Sequence, residues 1–201
     1  RAAIVLHDAQ DGSLDAHRVR LVLAEKGLQT HVDAVDRSAP PAAVLAASPG
    51  GELPVLVDRD LAIHGVDVIT DYIDERYPHP PFLPMDPVSR ARTRLAAYRI
   101  RQDWYRLIPG DEARRAARHG SDGELGTALV EADDVFGAMP YFLSESYSVL
   151  DAMLAPLLWR LPHYGIVLPE TATSVTAYAR RMFARPAFRA SLGPEENEMR
   201  R

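Results

Sequence analysis

The sequence contains no cysteine, which excludes disulfides, thiolate metal ligands and a cysteine nucleophile. Long apolar runs are missing as well, and nothing approaches the roughly 20 residues that a membrane-spanning helix needs. The opening RAAIVLHD holds a short strand-like run without a small-residue cleavage site, so it reads as folded chain and not as a signal peptide. Positive charge is not in excess: the net charge of −5 gives no bulk attraction to nucleic acid or to anionic membranes. No glycine-rich phosphate loop occurs, SPGGELP being a turn before Pro54. The seven histidines are scattered, without H-E-x-x-H or H-x-H spacing, and no serine has a G-x-S-x-G context. The expectation is a soluble, cytoplasmic protein that holds no metal and no cofactor.

What the sequence does have is core-forming material, 47% hydrophobic over 201 residues, enough for one large domain or two small ones. The first eighty residues alternate strand and helix patterns. AIVLH (residues 3–7) and THVDAV read as strands, and PPAAVLAAS as a short helix opened by Pro40 and Pro41. In AHRVRLVLAEKG the residues Val19, Val22, Leu23 and Lys26 fall at helical spacing, with Gly27 as a stop. LPVLVD and LAIHG form a hairpin across Arg59 and Asp60, and VDVITDYIDERY returns to helical periodicity. The order βαβαββα predicts an α/β domain.

Prolines interrupt this pattern in YPHPPFLP, where Pro78, Pro80, Pro81 and Pro84 exclude both a helix interior and a central strand. Beyond it the chain reads as wholly helical. VSRARTRLAAYRIRQDWYRLI forms a long helix from near Pro87, followed by ELGTALVEADDVFGAM, SVLDAMLAPLLWRLPHYG and TSVTAYARRMFARPAFRASL. Between the first two, PGDEARRAARHG has weak periodicity and reads as a mobile loop. The domain boundaries are 1–77, a proline-stiffened linker at 78–86, and an all-helical domain at 87–201. Arg92, Arg99 and Arg106 recur every seven residues along the long helix, as do Arg94 and Arg101. Such a face suits water or a dimer interface, or alternatively an acidic protein partner or nucleic acid.

RVRLVLAEKG, ELPVLVD and SVLDAMLAPLL resemble the glutathione transferase superfamily over nearly the whole chain. The resemblance implies a thioredoxin-like N-terminal domain followed by a helical transferase-like C-terminal domain, an α/β plus all-α protein. It also implies a cis bond between Leu53 and Pro54, and Ser148 with Asp151 spaces as a helix capping box. VRLVLAEKG, YIDERYPHPPFLP, RQDWY, PYFLSESYSVLDAMLAPLLWRLP and FRASLGPEENEMR resemble more narrowly the stringent starvation protein A family, bacterial regulators that associate with RNA polymerase.

A transferase needs a hydroxyl or thiol at the start of its first helix, facing the glutathione sulfur. Ser13 stands there, in a place where a serine is more often a helix N-cap than a catalyst. A transferase also needs an acid–serine pair at the start of the helix after the hairpin, and Gly65 with Val66 occupy those positions. Neither residue can hold the γ-glutamyl end. Ser13, Leu53, Pro54, Gly65 and Val66 are therefore expected to mark a vestigial ligand site with no catalytic residue. The alternative is a glutathione-dependent transferase or isomerase using Ser13.

In the regulator family the Pro-His-Pro motif is the working surface. The resemblance carries that role to Pro78, His79 and Pro80, supported by Pro81 and Phe82, while Asp86 stands where the family has an aromatic. It further implies a homodimer in which the two kinds of domain cross between subunits. The partner it implies is RNA polymerase holoenzyme near a sigma factor, with any DNA contact secondary.

Overall fold

The computed structural model describes residues 4–110 and 123–200. From Asp111 onward, the weakly periodic stretch before the second long helix lies outside the described residues. The chain forms two compact units, one of residues up to Pro80 together with Pro186–Glu198, the other of Pro81–Arg185 with Met199 and Arg200.

The first unit runs β1 (Ile4–Asp8), α1 (Leu14–Glu25), β2 (Thr30–Ala34), α2 (Ala42–Ala47), β3 (Val55–Asp58), β4 (Leu61–His64) and α3 (Val66–Arg76). Its sheet has the order β2-β1-β3-β4, with β1 parallel to β2, β3 antiparallel to β1 and β4 antiparallel to β3. This is the thioredoxin-like arrangement that the family resemblance implied, and the α/β order that the periodicity predicted. Ile4, Leu6 and Asp8 alternate inward along β1, the period of a strand with one face covered. Leu6, Val19, Leu56, Ile69 and Ile73 are fully buried, which seats α1 and α3 against the sheet. Val35, Val44 and Val55 form a second cluster at α2. α1 ends at Gly27, whose φ of +65° is the left-handed conformation that glycine adopts without a Cβ clash.

The second unit holds α4 (Pro87–Arg99), a π turn (Ile100–Trp104), a 3₁₀ turn (Tyr105–Leu107), α5 (Glu124–Glu131), α6 (Asp133–Gly137), α7 (Val149–Trp159) and α8 (Thr173–Ala184). α7 is its axis, with every residue from Leu150 to Leu158 buried. Three of the expected helices differ from the sequence reading. The long one passes into the π turn after Arg99, where the extra residue in the turn rotates the chain beyond it, so Arg106 no longer continues the Arg92–Arg99 row. ELGTALVEADDVFGAM breaks at Ala132, whose φ of −90° and ψ of 7° leave the helical region, and the Asp133 carboxylate just past the break accepts from the amides of Ser174 and Val175 at 3.2 and 2.8 Å, capping α8. The last one breaks at Arg185, held extended before Pro186. The two short helices beyond that break, α9 (Pro186–Ser191) and α10 (Pro194–Glu198), belong to the first unit.

Candidate functional site

Ser13 is the N-cap of α1, its hydroxyl accepting from the Ala16 amide at 3.4 Å. The peptide bond between Leu53 and Pro54 is cis, as the resemblance implied, and β3 starts one residue later. α3 opens at Gly65, with φ of +88° and no side chain to hydrogen-bond, followed by half-buried Val66. The nearest acid, Asp67, is committed to Arg18, whose buried guanidinium lies 3.1 Å from it. On the neighbouring strand, the ring nitrogens of His64 lie 3.0 Å from the Ala47 carbonyl and 3.1 Å from Glu52. The start of α3 thus offers backbone amides, with neither the hydroxyl nor the free carboxylate that grips a γ-glutamyl group.

The proline run is divided between the units. Pro78, His79 and Pro80 are exposed and close the first unit, with a second cis bond between His79 and Pro80 that the sequence did not signal. Pro81 is exposed in the second unit, whereas Phe82 is 2% exposed. Its ring packs on Tyr147 at 5.7 Å and its carbonyl accepts from the Val149 amide at 3.1 Å, so Phe82 anchors the chain from inside its unit. Phe82 also lines a cavity of about 410 Å³ with Leu83, Ser89, Arg92, Tyr147 and Leu150. Asp86 is the N-cap of α4, accepting from the Ser89 amide at 2.7 Å, and these bonds hold its carboxyl below the usual value.

What holds the exposed turn in place was not legible in the motif itself. The Lys26 ammonium, fully buried, donates to the Tyr77 carbonyl at 2.7 Å and the Pro80 carbonyl at 2.5 Å, and pairs with Asp74 at 2.6 Å. Tyr77 is fastened again through its hydroxyl, which donates to Asp58 at 3.1 Å beside that of Tyr72 at 2.8 Å. Burial first, and then the Asp58 carboxylate, raise both phenols above the ordinary tyrosine value. Arg76 stacks over the Tyr77 ring at 5.4 Å. In the sequence Lys26 falls at helical spacing with Val19, Val22 and Leu23, and nothing there gives it a task.

No three His, Asp or Glu side chains converge as metal ligands among the described residues. No helix among them is long and apolar enough to cross a membrane.

Comparison with known proteins matches residues 9–81 to the glutathione S-transferase N-terminal domain. A stringent starvation protein A homolog of Coxiella burnetii is 42% identical over 193 residues, covering 94% of this chain and 92% of its own. One from Pasteurella multocida is 40% identical over 185 residues, covering 88% and 84%. Among solved structures, a Tau class glutathione S-transferase from Mangifera indica superposes with a TM-score of 0.78 at 27% identity, over 98% of this chain and 96% of that one.

Proposed function

From its membership of the stringent starvation protein A family, to which the chain belongs on this identity and coverage, we propose that it is a transcription regulator acting by protein–protein contact with RNA polymerase holoenzyme, near a sigma factor. The contact surface is the Pro78–His79–Pro80 turn, with Pro81 following it along the chain. The observation that carries this reading is an exposed turn whose backbone is already fixed from within, by Lys26 and by Tyr77 on Asp58. A surface ordered before binding loses little conformational freedom when a partner docks, so an imidazole and two proline rings suffice as a small, specific patch.

Catalysis forms no part of the proposal. Gly65 and Val66 cannot hold the γ-glutamyl end and Asp67 is paired with Arg18, so Ser13, the N-cap of α1, has no held glutathione to act on. The protein works in the cytoplasm without a cofactor, and any contact with DNA is secondary to the protein contact. It works as a homodimer, in which the exposed row Val88, Arg92, Leu95 and Arg99 of α4 meets the exposed row Val68, Asp71 and Glu75 of α3 in a second copy.

The test is co-purification with RNA polymerase holoenzyme of the wild type and of the triple variant Pro78→Ala, His79→Ala, Pro80→Ala. The triple variant is expected to fold with an unchanged unfolding midpoint and to lose at least tenfold in affinity, as when a preordered contact patch is removed. Undiminished binding of the triple variant would mean the surface is elsewhere. Retention on immobilised glutathione with turnover abolished by Ser13→Ala would instead establish the transferase reading.

A further inference from the structure

We propose that Lys26 is the positioning residue of the Pro78–Pro80 turn, its buried ammonium tying both ends of the turn to one point and so fixing how His79 is presented. A lysine at a helix end ordinarily extends its stem along the surface and leaves its charge in water. Lys26 sits at the C-cap of α1, yet its side chain is 0% exposed. The ammonium has three donors, and three acceptors surround it at 2.5 to 2.7 Å: the Pro80 carbonyl, the Asp74 carboxylate and the Tyr77 carbonyl.

The turn needs such a point for a reason visible in its composition. Pro78, Pro80 and Pro81 have no amide hydrogen, so His79 carries the one N–H between Tyr77 and Phe82. Tight turns are normally closed by an amide donating across the bend, and proline has removed those donors here. The carbonyls that bracket Pro78 and His79 receive the lysine ammonium instead. Asp74, one turn earlier on α3, neutralises the charge and is itself 12% exposed. The prolines stiffen the segment locally, and Lys26 fixes where the stiff segment sits on its unit.

The consequence for partner binding rests on the regulator reading, while the positioning claim stands on the geometry, so the experiment reads the two separately. The first readout is the ¹⁵N order parameter of the His79 amide in the wild type and in the paired variant Lys26→Met with Asp74→Leu. The paired change leaves no buried charge unpartnered, and replacing an ion pair by apolar residues is frequently tolerated where removing one partner is not. In the wild type His79 is expected near the rigid value of about 0.85, and in the paired variant below about 0.6, with β1 and β3 unchanged. A His79 amide as rigid in the variant as in the wild type overturns the proposal.

If the variant does not fold, the wild type decides: a clamped ammonium gives a slowly exchanging signal with hydrogen-bond couplings to the Tyr77 and Pro80 carbonyl carbons. Their absence overturns the proposal as well. The second readout is affinity for purified RNA polymerase holoenzyme, expected to fall about tenfold in the paired variant from the added ordering cost. A loosened turn with unchanged affinity, where the Pro78–Pro80 triple alanine variant has lost its own, overturns the role of positioning in binding. If the triple variant binds as the wild type does, the regulator surface is misassigned, and the clamp is judged by the His79 readout alone.

Discussion

Asp151 shows how much one side chain organises when it is buried with all its acceptors used. It is 0% exposed, and its oxygens accept from the amides of Phe142 at 3.0 Å and Ser148 at 2.9 Å and from the Tyr178 hydroxyl at 2.7 Å. With the Ser148 hydroxyl bonded to the Leu150 amide at 3.1 Å, the start of α7 is satisfied from both directions, and the capping box expected from S-x-x-D is present. The local pair was legible in sequence; the bond to Tyr178 was not, because 27 residues separate them. Burial, and then the neighbouring Asp151 carboxylate, push the Tyr178 hydroxyl well above the ordinary tyrosine value. The folded protein therefore keeps this proton above pH ~10 while the unfolded chain releases it, so stability falls as pH rises past that point. Tyr178→Phe is expected to cost about 2 kcal/mol near neutral pH, since a buried carboxylate loses a donor. The gap to wild type should narrow between about pH 10 and 11, where Phe has no proton to release. Urea unfolding midpoints of the two proteins across that range are the measurement, and a constant gap would contradict the assignment.

At the scale of elements, the sequence announced those whose cause is local and concealed those whose cause is distant. The βαβαββα order and Gly27 as the end of α1 follow from periodicity and glycine chemistry, and the structure has both. The break at Pro186 was written in the chain, yet where the segment after it packs was not, because that depends on charges 170 or more residues away. α9 and α10 are fastened to α1: Arg20 pairs with Asp8 and with Glu196, the latter at 2.6 Å, and donates to the Ser191 carbonyl at 2.9 Å. His17 contacts the Ser191 hydroxyl at 2.9 Å and packs on Phe188 at 5.3 Å between ring centres. Asp8 and Glu196 are 0% and 1% exposed, so this is a buried network in which losing one member strands another. Glu196→Ala is expected to destabilise the protein by about 3 kcal/mol, the lower end for breaking a buried pair because Asp8 still faces Arg20. Urea denaturation gives the magnitude, and amide hydrogen exchange should locate the loss of protection in α1. A change under about 0.5 kcal/mol, the size of an ordinary surface substitution, would show that the tail is not held by this network.

Across the whole molecule the formal charge of −5 conceals an uneven distribution. α3 presents Asp71 and Glu75 with exposed Val68, while α4 presents Arg92 and Arg99 with Val88 and Leu95, each of these two 59% exposed. Arg99 lies 3.0 Å from Asp103 on the same exposed face, an arrangement that water screens. The sequence reading had joined Arg106 to this row; the π turn removes it and leaves a shorter face that mixes apolar and basic side chains. In a two-fold dimer such a face can meet an acidic one on the other copy twice over, each contact repeated by symmetry. Charge across such an interface acts mainly on pairing and orientation, and placing like charges opposite one another costs several kcal/mol. Reversing Arg92 and Arg99 to Glu is therefore expected to weaken the proposed homodimer about a hundredfold or more, read as dissociation in sedimentation velocity at low salt. Reversing Asp71 and Glu75 to Lys in the same chain should restore it, since both rows then change sign together. Restoration distinguishes a paired interface from a misfolded helix. A dimer that survives the first pair of substitutions, or stays dissociated after the second, would place the contact on another face of the molecule.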